Sequence, residues 1–116
     1  MNEVHLSGNV TKDPELKRTI NGTPVCSFSI AVKSGEEAQF IDCVAWKNCA
    51  ERVAANLHKG SFTMIYGRLN VREWTDKQGD RRRKYEVAVN EFCGADKRKQ
   101  HVEYEDLTGT DEDLPF

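Results

Sequence analysis

A chain of 116 residues has room for one small domain plus its ends. No apolar run approaches membrane-spanning length, and the opening Met1-Asn2-Glu3-Val4-His5 carries no basic-then-apolar leader, so a cytoplasmic protein without membrane attachment is expected. The net charge of −2 conceals a split: residues 1–100 hold all 17 Lys and Arg against 13 acids, whereas residues 101–116 hold six acids and no Lys or Arg, which points to an anionic partner for the body.

In chain order, Glu3 to Val10 alternates loosely and predicts a strand. Asp13-Pro14 and Asn21-Gly22 are turn signals. From Val25 to Val32 the set Cys26, Phe28, Ile30 and Val32 recurs with period two, the mark of a strand with one buried face. After Ser34-Gly35-Glu36-Glu37, Gln39 to Trp46 predicts another strand. The period then changes: over Asn48 to Lys59, Cys49, Val53 and Leu57 share one helical face. Asn48 is placed to cap this helix with Glu51 three residues on, and Gly60 suits its C-terminus. Ser61 to Trp74 predicts a long strand with a bulge or bend at Gly67. Asp76 to Asp80 is a hairpin tip, and Tyr85 to Phe92 a closing strand.

Three strands, one helix and two strands predict a mainly β protein. The architecture that fits is the OB fold, a five-stranded Greek-key barrel with its helix between strands three and four. Residues 1–94 are expected to form this domain. Residues 95–110 read as a short disordered linker. Residues 111–116 end the chain in Asp111-Glu112-Asp113-Leu114-Pro115-Phe116, three acids running into an apolar tip of the kind a partner protein holds. The four cysteines and three histidines match no zinc spacing, so reduced thiols and no metal are expected. Nucleophile–base pairs and phosphate loops are absent from the sequence, so neither an enzyme nor a cofactor is expected.

Alternation divides the strand before the helix. Ile41, Cys43 and Ala45 suit a tight interior, and Phe40, Asp42, Val44 and Trp46 face the other way. On the next strand Arg68, Asn70, Arg72 and Trp74 share a face. The hairpin adds Lys77 and then Arg81-Arg82-Arg83-Lys84, with Arg81, Arg83 and Tyr85 on one side and Arg82 and Lys84 on the other. Phe28, Phe62 and Phe92 are assigned to packing. Aromatic rings stack on unpaired bases, at about 1–3 kcal/mol per base, while Arg and Lys neutralise phosphates. Single-stranded nucleic acid offers both together. Phe40, Trp46 and Trp74 are therefore the candidate stacking residues. Lys59, Arg68, Arg72, Lys77, Arg81, Arg82, Arg83 and Lys84 are the candidate phosphate contacts.

The sequence also resembles a known family over nearly its whole length. Asn2 to Glu15, with its Asp-Pro-Glu turn, is similar to the opening of bacterial and phage single-stranded DNA-binding proteins. So are Asn21-Gly22-Thr23-Pro24-Val25, Leu57-His58-Lys59-Gly60-Ser61, Gly67-Arg68-Leu69, Trp74-Thr75-Asp76 and the tip Asp113-Leu114-Pro115-Phe116. Phe40, Trp46 and Trp74 stand where that family has its DNA-stacking aromatics. The resemblance implies sequence-independent protection of single-stranded DNA in replication, recombination and repair. It also implies a homotetramer and recruitment of partner proteins through residues 111–116. The chain departs from the family pattern in a short Lys33–Gln39 connection, in Glu73 where a base is common, and in its short charged linker. An OB-fold RNA-binding module and a replication-restart adaptor are the alternative readings.

Overall fold

Seven elements follow one another in the computed structural model, which describes residues 1–94: β1 (Val4–Val10), β2 (Glu15–Arg18), β3 (Pro24–Ser34), β4 (Glu37–Trp46), α1 (Lys47–Asn56), β5 (Phe62–Thr75) and β6 (Arg81–Cys93). The expected linker 95–110 and tip 111–116 lie outside the described residues.

The strands run in the order β1-β5-β6-β4-β3-β2, and a further β1–β3 pairing closes a five-stranded barrel. Neighbours are antiparallel except β4 and β6, which meet in parallel at Cys43↔Val87 and Val44↔Ala88. This is the expected OB topology, with the helix between the third and fourth barrel strands. β2 was not anticipated. It is a four-residue strand, exposed throughout, that adds to β3 outside the barrel. Without an alternating buried face, such an edge strand leaves no hydrophobic period to read.

The period-two sets explain the core. Cys26, Phe28 and Ile30 from β3 meet Cys43 and Ala45 from β4, Ile65 from β5, and Val87, Val89 and Phe92 from β6. α1 adds Ala50, Val53 and then Leu57 just past its end. Thr63, fully buried, is satisfied by donating to the Cys93 carbonyl at 2.9 Å.

Three local expectations need correction. The helix begins at Lys47, not Asn48, and ends at Asn56. Its N-cap position is Trp46, with no side-chain cap bond, so the Asn48–Glu51 capping box does not form. Gly60 has a left-handed φ of +91°, but in the turn beyond the helix.

The bulge lies near Gly67 as anticipated, with a register shift between Tyr66 and Gly67. The extra residue, however, is on β6: Tyr66 faces Glu91 and Gly67 faces Val89. β5 therefore keeps its phase, with Thr63, Ile65 and Gly67 inward. Gly67 is required because any Cβ there would strike the Ala88 carbonyl.

Because that phase holds, Phe62 points outward. It is 54% exposed and not part of the core, whereas Phe28 and Phe92 are buried as expected.

Candidate nucleic-acid interface

The site is built on the outer faces of β4, β5 and β6. On β4, Cys43 and Ala45 point inward, so Phe40, Asp42 and Trp46 point out. On β6, Val87 and Val89 point inward, so Lys84 and Glu86 share the outer face with Asp42. Cross-strand register then brings in β5: Asn70 opposes Glu86, Arg72 opposes Lys84, and Trp74 opposes Arg82. Directly opposed residues of an antiparallel pair project from the same face. One continuous surface thus carries Phe40, Trp46, Trp74, Arg68, Arg72, Arg82 and Lys84.

The three aromatics are open to a ligand, at 72% exposure for Phe40, 47% for Trp46 and 42% for Trp74. The Arg72 guanidinium lies 5.2 Å from the centre of the Trp74 ring, which holds the ring and its charge together. Trp46 leads directly into Lys47, whose φ of +60° makes the sharp turn from β4 into α1. A left-handed non-glycine residue is strained, so this turn is held by the packing on either side.

Between the aromatic positions lies a polar hollow of about 230 Å³, lined by Lys12, Ser27, Ser29, Asp42, Lys84 and Glu86 among others. Ser27 and Ser29 alternate with the buried set of β3 and oppose Val44 and Asp42, which places them on this outer side. Lys12 had no signal, because a turn residue reaches this surface only through tertiary folding.

Not every candidate cation joins the surface. Arg81 and Arg83 project from the opposite side of the hairpin, as alternation required, with Glu73 and Tyr85. Lys77 is at the tip. Lys59 sits in the turn after α1, where its backbone N–H donates to Asp13 at 2.8 Å, and is not on β4, β5 or β6.

Many of the cations already have carboxylate partners. Arg82 meets Asp76 at 2.8 Å, Lys84 meets Asp42 at 3.5 Å, and Arg72 meets Glu86 at 3.8 Å. Arg81 and Arg83 both meet Glu73. Asp76 also accepts from the N–H groups of Gln78 and Asp80, which shapes the hairpin tip. The Asp80 N–H first, then Arg82, hold its carboxyl below the ordinary range.

The wall formed by β1 and β5 differs in character. Phe62, Met64 and Tyr66 are exposed there, and the His5 and Tyr66 ring centres are 4.8 Å apart. A hollow of about 400 Å³ runs along this wall to Phe92 and Cys93. All four cysteines are free. Burial pushes the thiols of Cys26 and Cys43 up to about 11 and about 12. Among the described residues, no helix is long and apolar enough to cross a membrane.

Known proteins match this chain in sequence. The "Single-strand binding protein family" matches residues 1–93. The chain is 48% identical over 88 residues to "Single-stranded DNA-binding protein A" of Bacillus subtilis (strain 168), an alignment covering 70% of this chain and 51% of that protein. It is 38% identical over 116 residues to the "Single-stranded DNA-binding protein" of Lactiplantibacillus plantarum, covering 94% of this chain and 58% of the other. Against these two relatives the chain spans little more than half their length. With "Single-stranded DNA-binding protein 2" of Clostridium acetobutylicum the match is 38% identical and covers 100% of both chains. By the match over residues 1–93 and the identity to these relatives, the chain belongs to the single-strand binding protein family.

Proposed function

We propose that this protein binds and protects single-stranded DNA without regard to sequence, as a binding protein and not an enzyme, in cytoplasmic replication, recombination and repair. The observation that carries the reading is the set of three exposed aromatics, Phe40, Trp46 and Trp74, on one surface with Arg68, Arg72, Arg82 and Lys84. Bases stack on the rings and the flanking cations hold the phosphates. Lys77 extends the charge to the hairpin tip. The test is a poly(dT) titration followed by tryptophan emission, since both tryptophans lie on the surface. Saturable quenching is expected. Undiminished emission at saturating strand, or equal affinity for duplex DNA, would sink this reading.

Assembly and recruitment belong to the same proposal. A homotetramer accounts for the exposed Phe62, Met64 and Tyr66, since apolar side chains grouped on one wall are commonly covered by a partner. Light scattering is expected to give four subunits. The tip Asp111 to Phe116 recruits repair and replication proteins. Deleting Leu114–Phe116 is expected to abolish partner capture and leave single-stranded DNA binding unchanged or tighter. Weaker DNA binding after that deletion would count against the division of labour.

A further inference from the structure

We infer that Glu73 acts as a built-in competitor of the DNA backbone, its carboxylate standing between Arg81 and Arg83 where a phosphate would stand. The inference rests on the strand-binding reading above and extends it to the other side of the hairpin.

The geometry is that of a bound anion. One Glu73 oxygen meets Arg81 Nη2 at 2.9 Å, and the other meets Arg83 at Nε, 3.1 Å, and Nη2, 2.9 Å. The fork of Arg83 therefore holds one oxygen with two nitrogens while Arg81 holds the other. A phosphate presents the same pair of acceptors to guanidinium groups.

Glu73 has no evident architectural duty. Among the described residues its carboxylate accepts from these two guanidiniums alone, with no backbone partner. Asp76 is different, because it ties together the hairpin tip as well as pairing with Arg82. Both Glu73 pairs are solvent-exposed, and exposed pairs are weak and readily exchanged. The same side of the hairpin exposes Tyr85, Val71 and Leu69, so a strand crossing its edge meets a ring next to the two arginines.

The consequence concerns salt as much as affinity. When a phosphate displaces Glu73, the freed carboxylate gathers cations of its own. Part of the counterion release that drives binding is thereby cancelled. Removing the carboxylate should restore it.

The experiment compares the wild-type chain with Glu73→Gln in poly(dT) titrations across a range of NaCl, with thermal melts to confirm folding. The expected result is tighter binding by about fourfold near 0.15 M salt for each phosphate gained. The plot of log affinity against log salt should steepen by about 0.7 per phosphate. The double variant Arg81→Gln with Arg83→Gln, made in both backgrounds, supplies an independent reading. The two arginines should matter more when Glu73 is absent than when it is present. Unchanged affinity and slope in Glu73→Gln, or an equal loss in both backgrounds, would overturn the inference while leaving the strand-binding surface intact. A wild-type chain that leaves poly(dT) unbound would overturn both.

Discussion

The β5–β6 hairpin contains two regions built from the same two strands but held together by different forces. Its lower part is barrel wall: Thr63, Ile65, Val87, Val89 and Phe92 point into the core and are buried. Its upper part is an arm. The β1 pairing on β5 ends at Val4↔Gly67, and the Asn2 side chain adds a last pair of hydrogen bonds to Leu69. The β4 pairing on β6 begins only at Cys43↔Val87. Between these limits the arm strands pair with each other alone. The inward phase continues through Leu69, Val71 and Tyr85, but with no core beneath them these residues are exposed. Burial holds the wall, whereas the backbone ladder between its two strands holds the arm. A region that contributes little to the core is free to carry charge and rings for a ligand.

The largest test of this contrast is in the wall. Phe92→Ala removes a buried ring and the cation–π contact of Arg52, 5.0 Å from its centre. A loss of about 3–5 kcal/mol is expected in urea unfolding. That is a large share of the stability of a domain this size. A loss below about 1 kcal/mol would mean the wall is not held by its core.

Trp74→Ala is the matching test in the arm, with the effects reversed. Single-stranded DNA binding should weaken by about 1–3 kcal/mol. Stability should change by no more than about 0.5 kcal/mol, as for other surface positions. If melting suffers more than binding, Trp74 serves the fold and not the ligand.

The turn into α1 predicts a gain. Lys47→Gly relieves a left-handed backbone at φ +60°, with a net stabilisation of about 1 kcal/mol after the entropy of glycine is counted. Thermal melting monitored by far-UV circular dichroism reads this directly.

The smallest effect lies on the outer side of the wall. Arg52 meets Glu91 at 2.6 Å, and its hydrogen bond, followed by that from the Phe92 N–H, holds the Glu91 carboxyl below the usual 4.5. A depressed carboxyl stabilises the fold above its unfolded value, and the effect is lost as pH falls through the folded one. Glu91→Gln should therefore cost about 0.2–1 kcal/mol at neutral pH. The gap between variant and wild type should close under acid. A gap that persists unchanged in acid would show that the pair contributes nothing through its charge.

Much of the fold was legible because burial imposes a period. The alternation of Cys26, Phe28 and Ile30 located β3, and the change of period after Trp46 located α1. The outward placing of Phe40, Trp46 and Trp74 followed from the same rule. Where burial imposes nothing, the sequence was silent. β2 has no inner face. Phe62 looked like core because aromatic rings on strands usually are, and only the position of the bulge on β6 showed that β5 keeps its phase. The second strand of the arm starts at Arg81, four residues before the predicted Tyr85, since Arg81 to Lys84 carry no apolar alternation and pair only because β5 lies alongside.

By itself, the sequence determined which residues seek an interior, where the chain turns, and how charge divides between body and tail. These depend on side-chain chemistry and local period. Tertiary structure alone decided which charges meet. Glu73, Arg81 and Arg83 are eight and ten residues apart along the chain, and register makes them one cluster. Lys84 finds Asp42 across two strands that pair in parallel. Such pairings are weak individually and leave no pattern in a sequence, because they arise only after the barrel core has fixed the strands side by side.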